Sequence, residues 1–479
     1  MVEFHNVIDG RSVASPDTFA SFNPATGECL GRVAISTPSQ VQQALSAARR
    51  AQPAWAALPD ATRQDHLLRV ADILNANADH LAEWVTKEQG KPLGGLGTGQ
   101  VPGARFELWG CEVWTRVPAT IPLPVEVVFE DDTRRDELHR KPYGVIAAIS
   151  PWNWPLMIAI WQIIPALRMG NTVVIKPSEF TSICSLEMFR LIAEQLPPGV
   201  LNTVSGDGTV GQLLVDTPAV DKVMFTGSGP TGAKIAAVAA RHLTPTTMEL
   251  GGNDAAIVLD DANPQQIAAG LFWGAFLNMG QTCAAIKRLY VPDSLHDAIV
   301  EALGEIAQAL PMGNGLDPGI CVGPIQNRKQ FQIVSDLVED AQRHGGRIVC
   351  GGQAPSGPGY FFPITLVTGL RDGHRLVDEE QFGPVLPIVR YHQIEDAIAS
   401  ANRAEAGLGA SVWGGDPERA RQVAMRLQAG TIWINQHGMV HPMVPFGGTK
   451  RSGWGVEFGV DGLKGVSQAQ VLSFAKASH

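Results

Sequence analysis

Between residues 145 and 243 short apolar runs alternate with helical repeats. Segments 145–149, 172–175, 200–204 and 222–225 read as strands buried on both faces, and 156–169, 181–195 and 231–243 as the helices that follow them. Apolar strands joined by helices form right-handed crossovers and a parallel, doubly wound sheet. Ligands bind such a sheet at the carboxyl ends of its strands, where Asn153, Lys176, Glu179 and Gly227 fall. Upstream, residues 38–91 repeat Ala, Leu and Val at three- and four-residue steps, a helical pattern broken at Pro59 and Asn77. A further helix is predicted over 105–115, and 121–140 reads as a β-hairpin with an apolar base and a charged tip.

A second α/β set begins near Gly251. It has helices over 264–277, 295–310 and 328–344, and strands at 289–291, 347–350, 387–391, 410–413 and 431–435. The tail 466–474 ends in an apolar run that suits an edge strand. With 479 residues the chain exceeds one compact core, so two or three domains are expected.

Net charge is −10, which argues against nucleic acid and anionic membrane surfaces as partners. The six cysteines are scattered without a C-x-x-C pair, so no metal site and no disulfide framework is expected, and a reducing cytoplasm fits. The opening residues lack the basic start and apolar stretch of a secretory signal. Residues 144–167 carry no charge, but Pro151, Pro155 and Pro165 make a buried strand–turn–helix the better reading than a membrane span.

Candidate chemistry centres on Gly280-Gln-Thr-Cys283 and Glu249-Leu-Gly-Gly252. A thiol flanked by small residues, with a carboxylate on a glycine-rich turn, suggests covalent catalysis with a separate general base. Taken alone, a cysteine in an apolar chain is more often a small buried hydrophobe, so Cys283 needs the company of other reactive residues to read as a nucleophile. Two G-x-G-x-x-G matches occur, Gly206–Gly211 and Gly227–Gly232. The second lies between a strand and a helix, where backbone N–H groups suit a pyrophosphate. Neither makes an ordinary Rossmann fingerprint.

Together these features resemble the NAD(P)-dependent aldehyde dehydrogenase superfamily along nearly the whole chain. The matching segments are Pro151-Trp-Asn-Trp-Pro155, Ile175-Lys-Pro-Ser-Glu179, Phe225-Thr-Gly-Ser228 with Gly232, and Glu249-Leu-Gly-Gly252. They continue with Gly280-Gln-Thr-Cys283, Glu380-Gln-Phe-Gly-Pro384 and Pro445-Phe-Gly-Gly-x-Lys450. The resemblance implies a Rossmann-like coenzyme domain (1–119 and 138–250), an α/β catalytic domain (251–435) and a small β oligomerisation element (120–137 and 465–479). It also implies a homodimer or homotetramer.

The implied roles are specific. Cys283 attacks the aldehyde carbon, Asn153 and the Cys283 N–H face the oxyanion, and Glu249 activates the water that hydrolyses a thioester. Without the family, Asn153 reads as a cap and Glu249 as an ion-pair partner. The implied coenzyme contacts are Ile149, Ser150, Pro151, Trp152, Lys176, Ser178, Glu179, Gly208, Phe225, Gly227, Ser228, Leu250, Gly251, Glu380 and Phe382. A carboxylate at Glu179 accepts from a ribose 2′-OH and repels a 2′-phosphate, which favours NAD, with NADP as the alternative.

By position, the aldehyde tunnel is expected to be lined by Trp154, Met157, Ile158, Trp161, Leu277, Thr282, Val440 and Phe446. That wall is apolar and holds no arginine for a substrate carboxylate, so aromatic or medium-chain aliphatic aldehydes are expected. His437 and His441 are candidates for substrate contact, and Glu112 reads as a solvated helix residue. Thr282 and Ala284 leave no thiol adjacent to the nucleophile, and Val456 replaces a family arginine. A CoA-acylating enzyme is the nearest rival, disfavoured by Glu249. A non-catalytic protein of the same fold is disfavoured by the three reactive residues together.

Overall fold

A computed structural model describes residues 2–94 and 103–476. Residues 95–102 of the expected coenzyme segment and 477–479 of the expected oligomerisation segment lie outside the described residues.

The N-terminal helical stretch resolves into α1 (Pro38–Ala57), α2 (Asp60–Ala76) and α3 (Ala78–Gln89). Thr37 begins α1 with a reciprocal capping box to Gln40. The breaks fall at Pro59 and Asn77, as the pattern predicts. The helical run stops at Gln89 rather than Lys91 because Gly90 turns left-handed (φ 96°). Helix α4 (Ala104–Thr120) extends beyond the predicted 105–115, carrying Pro118 in its last turn.

Next come β1 (Val145–Ile149), α5 (Pro155–Arg168), β2 (Thr172–Lys176), α6 (Ser182–Ala193) and β3 (Leu201–Thr203). Helix α7 (Gly208–Val215), β4 (Lys222–Gly227), α8 (Gly229–Ala240) and β5 (Thr246–Leu250) complete the first set. Among the described residues the strands lie in the order β3-β2-β1-β4-β5, parallel throughout. The short strand Gly453–Trp454 adds antiparallel to β5. Strands β1 and β2 are buried at every position, which is why Val145–Ile149 and residues 173–175 appear in sequence as unbroken apolar runs.

The second sheet contains β6 (Asp254–Val258), β7 (Ile286–Pro292), β8 (Arg347–Cys350), β9 (Thr365–Thr368), β10 (Val385–Tyr391), β11 (Gly409–Trp413) and β12 (Thr431–Ile434). Its order is β8-β9-β10-β7-β6-β11-β12, parallel except at the β8 edge. Strand β12 stops one residue short of the predicted end because Asn435 is left-handed (φ 54°). Between β6 and β7 runs α9 (Pro264–Phe276), whose N-terminus Asn263 caps. The expected helix end at Leu277 falls in a following 3₁₀ turn, Leu277–Gly280.

The predicted hairpin is the strand pair Glu126–Glu130 and Arg134–Pro142, and the tail strand Ser467–Ala475 pairs antiparallel with the latter. Together they form a three-stranded sheet whose outer positions expose Val127, Val128, Phe129, Val471 and Phe474. No helix among the described residues is long and apolar enough to cross a membrane.

A buried ion pair ties the loop after α3 to α4, and its carboxylate also holds the start of α5. Lys91 Nζ donates to Glu107 Oε2, and both side chains are sealed from solvent. Glu107 Oε1 accepts from the N–H groups of Leu156 (2.8 Å) and Met157 (3.1 Å), closing the open end of α5. Lys91→Met would leave that carboxylate without its cation, so the folded state should lose about 3–5 kcal/mol. Urea denaturation checks this: an unchanged midpoint would mean that the pair contributes nothing.

Candidate active site

Cys283 follows a turn that the backbone does not adopt for free. Asn278 (φ 51°), Met279 (φ 60°) and Gly280 (φ 69°) are successively left-handed. For the two non-glycine residues that costs on the order of 1–3 kcal/mol each. Side-chain bonds offset the strain. Asn278 Nδ2 donates to Asn153 O at 2.8 Å, and Gln281 Nε2 returns to Asn278 O at 3.1 Å. Gly280 is required on space as well, since a Cβ there would lie 2.3 Å from Gly383 O.

Asn153 is thereby fixed from two directions. Its carbonyl accepts from Asn278 and from Lys91 Nζ (3.0 Å), and the same ammonium sits 3.6 Å from the Trp154 ring centroid. Trp154 Nε1 donates to Thr282 Oγ1 at 3.0 Å, joining the start of α5 to the cysteine loop.

A cavity of about 190 Å³ brings Asn153, Glu249 and Cys283 together with Leu250, Gly251, Glu380 and Phe382. Glu249, on β5, is buried, and its Oε1 has no hydrogen-bond partner among the described residues. Burial, then the charge of Glu457, hold its carboxyl well above the usual range, and burial raises Glu457 too. Cys283 keeps partial exposure to the cavity, yet burial pushes its thiol up to about 12. Lys287 opposes that rise, while Glu249 and Asp254 add to it.

An adjoining cleft of about 690 Å³ shares the walls Pro151, Trp152, Gly227 and Ser228. It is also lined by Ile149, Ser150, Lys176, Ser178, Glu179, Gly208 and Phe225. Both G-x-G-x-x-G stretches border it, through Gly208 and Gly211 and through Gly227. Ser228 at the start of α8 makes no capping bond to the backbone, so the first-turn N–H groups stay available to an anion. Lys176 Nζ donates to Pro177 O (3.0 Å) and lies 3.8 Å from Glu179. At the junction, Trp152 and Phe382 meet edge to face at 5.4 Å. This cleft fits a dinucleotide: an open helix end for the pyrophosphate, a lysine–carboxylate pair for ribose hydroxyls, and aromatic side chains toward the thiol.

The expected tunnel residues pack as one apolar cluster. Trp154, Met157, Ile158, Trp161 and Phe446 are buried in it, with Leu277, Val440 and Cys283 packed against it. Trp161 and Phe458 meet edge to face at 4.7 Å. His437 is buried, with Nδ1 2.9 Å from Ser411 Oγ and its ring 4.9 Å from that of Trp433, a member of the same cluster. Its histidine type alone does not reveal that it sits beneath the loop. Glu112 pairs with Arg116 on the α4 surface, as a solvated helix residue should.

Sequence reasoning passed over Lys234, Thr231 and Gln330, which also line these cavities, and the inward-facing Lys91, Lys287 and Glu457. The register of α8 from Gly229 is the one local signal for Lys234 and Thr231; the others depend on distant packing.

The aldehyde dehydrogenase family profile matches residues 12–472. The chain belongs to the aldehyde dehydrogenase family. It is 37% identical to phenylacetaldehyde dehydrogenase from Pseudomonas fluorescens over 480 aligned positions, covering 96% of this chain and 93% of that one. A betaine aldehyde dehydrogenase from Cereibacter sphaeroides is 36% identical, covering 97% and 95%. The NAD⁺ complex of an aldehyde dehydrogenase from Bacillus cereus superposes with a TM-score of 0.94 at 31% identity, covering 99% of this chain and 97% of that one. The α/β architecture is therefore that of an aldehyde dehydrogenase.

Proposed function

We propose that this aldehyde dehydrogenase oxidises its substrate to the carboxylic acid through a thiohemiacetal and then a thioester on Cys283, with NAD as coenzyme. The observation that carries the reading is the single cavity that holds Cys283, Glu249 and Asn153 beside Glu380 and Phe382. Cys283 Sγ bonds to the carbonyl carbon, and the oxygen takes negative charge facing the Asn153 amide and the Cys283 N–H. NAD, held by Lys176, Glu179, Ser228, Glu380 and Phe382, supplies the acceptor for the hydride. Glu249 then takes a proton from water, whose oxygen attacks the thioester carbon; the acid leaves and the sulfur is regenerated.

The apolar cluster around Trp154, Met157, Trp161 and Phe446 favours aromatic or medium-chain aliphatic aldehydes. The kinship with a phenylacetaldehyde dehydrogenase supports the aromatic class. NADH formation over a panel of benzaldehydes, phenylacetaldehyde, alkanals, aminoaldehydes and succinic semialdehyde tests this, with and without CoA. Phenylacetaldehyde and alkanals should lead in kcat/KM. A requirement for CoA, or a lead by succinic semialdehyde, would overturn the reading.

Glu179 is the proposed discriminator between coenzymes. Glu179→Ala should lower kcat/KM for NAD and raise it for NADP, shifting their ratio on the order of tenfold or more. An unchanged ratio would remove Glu179 from coenzyme choice. The exposed apolar residues of the hairpin and tail sheet support assembly as a homodimer or homotetramer, which light scattering measures directly.

A further inference from the structure

Lys287 lies on β7, just beyond Cys283, with its side chain 1% exposed. Its ammonium donates to the carbonyls of Cys283 (2.7 Å) and Thr282 (3.0 Å). On its other side it pairs with Glu380 Oε1 at 3.2 Å. Glu380 is itself held in place, since its Oε1 also accepts from Gly252 N at 3.2 Å.

The charges around this ammonium are few and accountable. Arg288, the next residue, is engaged away from the loop by the carbonyls of Asn253, Ser400 and Ala401. Asp254 and His437 are buried nearby, 3.7 Å apart. Burial pushes Asp254 up to about 7 and His437 down to about 3, so near neutral pH His437 is uncharged and Asp254 only partly charged. Glu249 faces the thiol from β5, with Glu457 behind it. Among the described residues Lys287 is the cation bonded to the Cys283 main chain, where its charge favours the thiolate, and Glu380 is the carboxylate paired with it.

We propose that Lys287 is a positioning residue that ties the ionisation of Cys283 to the state of Glu380. The proposal rests on Cys283 as nucleophile and Glu380 as a coenzyme contact. One ammonium faces both the cysteine loop and a carboxylate on the coenzyme side. If a bound coenzyme drew Glu380 toward its ribose hydroxyls, less of the ammonium's charge would be offset there and more of it would act on the sulfur. Thiolate formation would then be coupled to coenzyme occupancy.

Iodoacetamide alkylation of the coenzyme-free protein, localised to Cys283 by peptide mass and followed from about pH 7 to about pH 10, reads thiol ionisation directly. Lys287→Met should slow alkylation at about pH 8 on the order of tenfold, the consequence of a one-unit rise in the thiol pKa, and Lys287→Arg should recover most of it. Glu380→Gln should accelerate alkylation about threefold or more, and this gain should vanish in the Lys287→Met background. An unchanged rate in Lys287→Met, or an equal gain in both backgrounds, overturns the proposal. Should Lys287→Met not fold, Glu380→Gln decides alone: no acceleration means no coupling. If Cys283→Ala keeps its aldehyde oxidation, the nucleophile reading falls. If that variant is inactive and the alkylation series is flat, only the role of Lys287 falls.

Discussion

Cys283→Ala is expected to lower aldehyde-dependent NADH formation by about 10⁴-fold or more, because it removes the atom to which the substrate is to be bonded. Binding, orientation and the oxyanion donors would remain, and they account for the residual rate. The substitution removes one sulfur from a partly exposed position at the edge of the apolar cluster, so the thermal midpoint should move little. Steady-state assays beside a melting curve separate the two effects. Turnover within tenfold of the parent enzyme would exclude a covalent sulfur intermediate.

Glu249→Gln should reduce steady-state turnover on the order of 10²–10³-fold while leaving a rapid burst of NADH close to one per site. The burst reports thioester formation, which the amide does not impede; the slow phase reports a water without its base. The pH dependence carries a definite sign. A general base acts only when deprotonated, and burial together with Glu457 holds the Glu249 carboxyl well above the usual range. Hydrolysis by the parent enzyme should therefore rise with pH through that elevated value, and the limb should flatten in Glu249→Gln. Loss of the burst itself would place Glu249 before the thioester instead of after it.

The sequence reveals those parts of the molecule whose cause is local. Strands β1 and β2 are legible because both faces are covered, so Val145–Ile149 and residues 173–175 are free of polar residues. The breaks between the first helices are legible because Pro59 and Asn77 act on their own neighbours. The paired glycine motifs show the limit. One opens α7 and the other opens α8, both border the same cleft, and no spacing rule chooses between them.

Long-range pairings stay hidden for a physical reason. Lys91, in the loop after α3, meets Glu107 on α4, and each looks like any surface charge until the packing encloses it. Lys287 falls outside the predicted strand 289–291, with nothing local to announce Glu380 as its partner. Glu457 influences Glu249 because the chain returns through the Phe446–Glu457 bridge, a contact between distant segments. The resemblance supplied Cys283, Glu249 and Asn153, and the fold gathers these three around one cavity. The electrostatic surroundings of that cavity were not legible in the sequence.

The strand Gly453–Trp454 has a consequence for how the chain is made. It covers the edge of β5, with Leu250 N donating to Ser452 O at 3.0 Å. It also comes so close that a Cβ on Gly453 would fall 1.9 Å from Met248 O. During synthesis from the N-terminus, β5 is therefore finished long before its last neighbour leaves the ribosome. Until then it offers unsatisfied backbone groups to any other nascent copy. Prematurely terminated products ending before Gly453 should aggregate even with every residue of the first parallel strands intact, and release of the final segment is the step that ends that exposure.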